Sequence, residues 1–128
     1  MTFTVHTRRI DAHGSLAKCK EASITLDTDV NGRPDAFNPA ELLLAALTAC
    51  MIKGIERVTP IMKFKLGGVE VRMHGVRQDV PPRQESIDYE LTVDTDEDDR
   101  RSRCAANWLN GAPVLARGPN LTYLKSRI

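Results

Sequence analysis

The feature that most constrains this chain is the segment Asn38-Pro39-Ala40-Glu41, followed by a stretch from Leu42 to Ile52 without a single charged side chain. Asn38 suits an N-cap and Pro39 the first helical position. Glu41 falls three residues after the cap, where its carboxylate can return to the cap's own N–H. The body of the predicted helix, Leu42-Leu43-Leu44-Ala45-Ala46-Leu47-Thr48-Ala49-Cys50-Met51-Ile52, is apolar on nearly every side. A helix apolar all round must be buried all round. Glu56 and Arg57 begin to re-expose it, and Pro60 ends it. At 128 residues the chain is expected to be one domain, residues 1–128, with a small core, and its aromatics are sparse: one Trp, two Tyr and three Phe. A fully wrapped helix in so short a chain points to a second subunit that supplies part of the wrapping, and a homodimer is expected.

Strands account for much of the rest. Residues 1–30 read as strands, and in Ser23-Ile24-Thr25-Leu26-Asp27 apolar and polar side chains alternate, the period of a half-buried strand. Val30-Asn31-Gly32-Arg33-Pro34-Asp35 is loop chemistry. Leu66 to Met73 alternates, as do Ile87, Tyr89, Leu91 and Val93. The two form a predicted hairpin with a long connection that includes Val80-Pro81-Pro82-Arg83. A second helix is predicted over Glu97–Asn110, with Cys104 and Trp108 four apart on one face and Gly111 as its stop. The acids of Asp94–Asp99 precede the bases of Arg100–Arg103, which suits a helix start. Asn120–Arg127 is predicted to close a sheet. Strands, a buried helix, two strands, a helix and a strand make an α+β order.

Several classes of function are disfavoured. With 18 basic and 17 acidic residues the charge is nearly balanced, unlike a dedicated nucleic-acid binder. Met1-Thr2-Phe3-Thr4-Val5-His6 lacks the apolar region of a secretory leader, and no apolar run reaches membrane-spanning length. Three cysteines at irregular spacing do not make a disulfide framework, so a cytoplasmic protein with reduced thiols is expected. His6, His13 and His74 show no metal-ligand spacing, and no phosphate loop or Ser-His-Asp set stands out. Neither a metal nor a cofactor is expected.

The run from Phe37 through Asn38-Pro39-Ala40-Glu41-Leu42 to Cys50 resembles the central helix of the osmotically inducible protein C (OsmC) family: an Asn-Pro turn, a Glu-Leu pair, an Ala/Leu-rich run and a cysteine. The resemblance extends from about Gly32 to Val114. It implies an α+β fold in which two chains intertwine, their sheets wrapped around two central helices. It also implies the chemistry of the family's organic hydroperoxide reductases. In these a thiolate attacks the peroxide O–O bond and becomes a sulfenic acid, which a second cysteine resolves. An Arg holds the thiolate and a Glu holds the Arg.

By that resemblance Cys50 stands at the peroxidatic position. The alternative is a small hydrophobe packed in a helix. The resolving cysteine of the family opens a Cys-Pro-Val triplet, which here reads Ala112-Pro113-Val114. Cys104 lies about 12 Å earlier along a helix axis, whereas a disulfide needs Cα atoms within about 7 Å. The Arg-holding Glu directly after Asn-Pro is replaced by Ala40. Glu41, one place on, is the candidate, with the capping box as its alternative role. Arg33 is the leading candidate for the cation, with Arg8 and Arg9 as alternatives. Without a carboxylate at position 40, Arg33 is expected to be less fixed than in the family's peroxidases and Cys50 to be only slightly activated.

Two readings follow. One is a thiol-dependent hydroperoxide reductase that uses Cys50, Arg33 and Glu41, an organic hydroperoxide and an external thiol reductant. The other is a non-catalytic dimer that binds an apolar small molecule between its central helices. Neither has nucleic acid or a membrane as a partner.

Overall fold

The computed structural model describes residues 2–63, 65–95 and 120–127. The chain forms two compact units, Met1–Leu43 and Leu44–Ile128. The fold is α+β, with one helix and two three-stranded sheets among the described residues.

In the first unit, β1 (His6–Arg9), β2 (Gly14–Cys19) and β3 (Ala22–Asp27) form an antiparallel meander in the order β1-β2-β3. The central strand carries the buried residues Gly14, Ser15 and Ala17. Asp27, buried at the end of β3, begins the segment that leads to the helix. Its N–H donates to the Phe37 carbonyl at 2.9 Å, beside a parallel bridge between Leu26 and Phe37. A turn over Asp29–Gly32 closes with the Gly32 N–H on the Asp29 carbonyl, and Gly32 sits at φ 79°, where a side chain would be strained.

The helix α1 runs from Pro39 to Val58. Its start is the predicted capping box. The Asn38 N–H donates to Glu41 Oε2 and the Glu41 N–H to Asn38 Oδ1, both at 2.9 Å. Its buried residues are Met51, Ile55 and Val58. The first half is only partly covered: Leu43 is 51% exposed, and Ala46, Ala49 and Cys50 are also exposed. The single chain therefore does not bury this helix on every side. An α-helix offers only one stripe to one sheet, and the apolar residues outside that stripe stay open.

In the second unit, β4 (Gly68–Asp79), β5 (Pro82–Asp94) and β6 (Asn120–Arg127) form an antiparallel sheet in that order. Register sets Val69 opposite Val93, Val71 opposite Leu91, Met73 opposite Tyr89 and Gly75 opposite Ile87. Alternation thus places one apolar row on one face. Ile55 packs with Leu91 and Val93, flanked by Met62, Leu66, Val69, Val71 and Tyr89. At Gly75 the helix comes close: a Cβ there would lie 3.2 Å from Leu44 Cδ1.

The hairpin connection is short, not long. The strands continue to Asp79 and from Pro82, leaving Val80-Pro81 as the turn. The alternating pattern stops early because the register shifts between Val76 and Arg77, and beyond that point both strands are largely exposed. The predicted helix over Glu97–Asn110, with Cys104, and the Ala112-Pro113-Val114 triplet lie outside the described residues. No helix among the described residues is long and apolar enough to cross a membrane.

Candidate functional site

Arg33 finds a carboxylate partner within its own loop. Its Nε–H donates to Asp35 Oδ1 and its Nη2–H to Asp35 Oδ2, both at 2.6 Å. A planar guanidinium on a carboxylate in two-point geometry is among the strongest charge-assisted arrangements available to side chains. This hydrogen bond holds the Asp35 carboxyl below, and the Arg33 guanidinium above, its usual range. The Arg33 backbone N–H donates to Asp27 Oδ2 at 3.0 Å, so main chain and side chain are both fixed by carboxylates. The position of Ala40 is not needed for this anchor. Asp35, two residues after the arginine, supplies it from the same loop.

Asp35 and Glu41 share the wall of an open depression of about 730 Å³, with Ser23, Ile24, Thr25, Pro34, Ala36 and Phe37. Its lining mixes two carboxylates and two hydroxyls with apolar carbon, and Ile24 and Phe37 are exposed there, at 38% and 49%. Glu41 thus has two engagements: one oxygen closes the cap and its side chain borders the depression.

Cys50 lies further along α1 with an exposed side chain, next to the buried Met51. It is nine positions beyond Glu41, roughly 13 Å along a helix axis at 1.5 Å per residue. Cys19 is half-buried at the end of β2. Arg8 and Arg9 are exposed on β1. Among the described residues no group of three or more His, Cys, Asp or Glu is placed to hold a metal.

The sequence reading missed two pairings in the first unit. Gly14 faces the Arg33 Nη1 closely, and His13 contacts Asp29 at 2.5 Å. Neither pairing has a local signal, since the partners lie nineteen and sixteen positions apart.

Residues 32–120 match the sequence model of the family described as OsmC-like protein. The chain belongs to the OsmC-like family. The match begins at Gly32, where the wider resemblance begins, and continues past Val114 to Asn120. No curated protein matches the chain. Solved structures that resemble this OsmC-like chain share its fold. An OsmC-like protein from Mycoplasma pneumoniae has a TM-score of 0.74 at 16% identity, covering 85% of this chain and 80% of its own. A protein from Psychrobacter arcticus, described as an osmotic stress induced and detoxification response protein, has a TM-score of 0.72 at 23% identity, with coverage of 85% and 82%. The organic hydroperoxide resistance protein OhrB of Bacillus subtilis has a TM-score of 0.59 at 18% identity, with coverage of 85% and 83%.

Proposed function

We propose that this OsmC-like chain works as a cytoplasmic homodimer that reduces organic hydroperoxides with Cys50 as its nucleophile and an external thiol as its resolver. The observation that carries the reading is the place of Cys50 on the family's helix, outside the stripe of Met51, Ile55 and Val58 that the chain's own core buries. A thiolate needs a cation, and the scheme assigns that role to Arg33. The likeness in fold to a hydroperoxide resistance protein points the same way.

In the first step the Cys50 thiolate attacks the terminal oxygen of R–O–OH. The S–O bond forms, the O–O bond breaks, and the alkoxide takes a proton to leave as ROH. Cys50 is oxidised to a sulfenic acid and the peroxide is reduced. A small thiol then attacks the sulfenic sulfur and releases water, and a second thiol displaces the mixed disulfide to restore Cys50. Position 112 is Ala and contributes no sulfur. In this scheme Arg33 stabilises the thiolate, Asp35 holds Arg33, and Glu41 shapes the acidic side of the site.

The test is treatment of the reduced protein with cumene hydroperoxide, followed by mass measurement with and without added thiol. One oxygen on Cys50, converted to a mixed disulfide by the thiol and absent in Cys50→Ser, is the expected result. An unchanged mass at excess peroxide sinks the reductase reading. It would favour a non-catalytic dimer that holds an apolar ligand, for which the exposed Leu43, Ala46 and Ala49 of α1 are the supporting observation.

A further inference from the structure

We propose that His13 and Asp29 form a pH-dependent latch that fastens the β1–β2 turn to the loop carrying Arg33. The turn side is preformed. The Ile10 and Asp11 N–H groups reach the Gly14 carbonyl at 2.9 and 3.3 Å. Asp11 Oδ1 accepts the N–H groups of His13 and Gly14 at 2.8 and 3.0 Å. This network fixes the backbone from which the His13 ring projects. On the loop side Asp29 is equally fixed. Its N–H donates to Asp27 Oδ1 at 2.9 Å, and its own Oδ1 accepts the Asn31 N–H at 2.8 Å. Asp27 Oδ2 in turn holds the Arg33 N–H. Between these two organised segments, the ring Nδ1 of His13 meets Asp29 Oδ2 at 2.5 Å.

The exposures suit a switch. The Asp29 side chain is 13% exposed and the His13 ring 69%. The carboxylate is therefore held in place while the ring exchanges its proton with water. The charged groups around the ring are Asp29 and Asp11, which favour the imidazolium, and Arg33, which opposes it. Two carboxylates against one guanidinium hold the proton on. The hydrogen bond to Asp29 is the leading cause that raises His13 above its ordinary 6.5, and the same bond lowers Asp29 below its ordinary 3.8. A raised imidazole contributes its full stabilisation below 6.5 and loses it as pH rises through the raised value. A lowered carboxylate contributes above 3.8 and loses its share as pH falls through the lowered value. The latch is therefore closed between those limits and opens on the alkaline side. Opening removes the His13–Asp29 contact that ties this loop to the β1–β2 turn, while the Asp27 bonds to the Asp29 and Arg33 N–H groups remain.

The experiment is an NMR titration of the full chain that follows the His13 ring and the amides of Asn31, Gly32 and Arg33. The expected result is a ring midpoint above 6.5, shared by the loop amides. Asp29→Asn should lower the ring midpoint, and His13→Gln should abolish the pH response of the amides. A wild-type midpoint at or below 6.5, loop amides that do not follow the ring, or a midpoint unmoved by Asp29→Asn would each overturn the latch. The wild-type titration decides the first two outcomes whether or not the variants fold. None of these outcomes depends on hydroperoxide turnover.

Discussion

Gly14 and Arg33 meet so closely that a methyl group on the glycine would lie 2.9 Å from the guanidinium Nη1. Gly14 is buried in the central strand of its sheet, and the far end of Arg33 is already forked on Asp35. A Cβ there requires the Nη1 end of Arg33 to shift, and Nη1 belongs to the same planar group as the Nε and Nη2 that form the fork. Gly14→Ala should therefore shift and broaden the Arg33 Nε–H signal in an NMR spectrum. The stability should change by less than about 1 kcal/mol, because alanine is also the better strand residue. If the reductase reading holds, peroxide turnover should fall with the Nε–H signal rather than with stability.

Ile55 is 2% exposed and packs on Leu91 and Val93. Ile55→Ala removes that contact and leaves a cavity beneath the helix, at a cost of about 3 kcal/mol. Ile61→Ala, at a position 72% exposed, should stay within about 0.5 kcal/mol. Urea unfolding of both variants at one protein concentration separates the two effects.

The reciprocal cap at the head of α1 separates a structural from a catalytic role for Glu41. Asn38→Ala should cost about 1 kcal/mol of stability. Glu41→Gln keeps an oxygen that can accept the Asn38 N–H, so the unfolding midpoint should barely move. Loss of hydroperoxide reduction in Glu41→Gln at unchanged stability would assign the carboxylate to the reaction. Unchanged turnover would leave it as a cap.

Leu43, exposed on a helix that is apolar along its first half, is the probe of association. Burying one leucine side chain is worth about 2 kcal/mol, and a symmetric dimer buries two copies. In the proposed homodimer Leu43→Glu should thus weaken association by a hundredfold or more, on the order of 1.4 kcal/mol per decade. Sedimentation velocity at micromolar concentration reads this directly. A stable folded monomer of the wild-type chain under those conditions would remove the case for a homodimer.

What could be read from the sequence was local. The cap at Asn38 and Glu41 was legible because three positions on a helix are neighbours in space, and the strand at Ile87 to Val93 because alternation marks a covered face. The length of the β4–β5 hairpin was not. Its outer part is largely exposed, and the irregularity after Val76 breaks the period. The anchor of Arg33 was sought at position 40 because the family places it there. The carboxylate that holds it stands at Asp35, in a loop where no periodicity points to a partner. The pairing of His13 with Asp29 depends on how two turns of one sheet end side by side, which only the folded backbone decides.

The outer end of the β4–β5 hairpin has a further consequence. Val80 is 85% exposed and Arg83, Gln84 and Glu85 are exposed, so this tip lends little to the core that Ile55, Leu91 and Val93 form. Its side-chain bonds, from the Gln78 amide to the Val80 carbonyl and from Arg83 to Gln78, are confined to the tip itself. A segment that is exposed and bonded only to itself can be lengthened or replaced at small cost. The Val80-Pro81 turn is thus a natural place to graft a foreign peptide or a reporter, leaving the helix and its cysteine as they are.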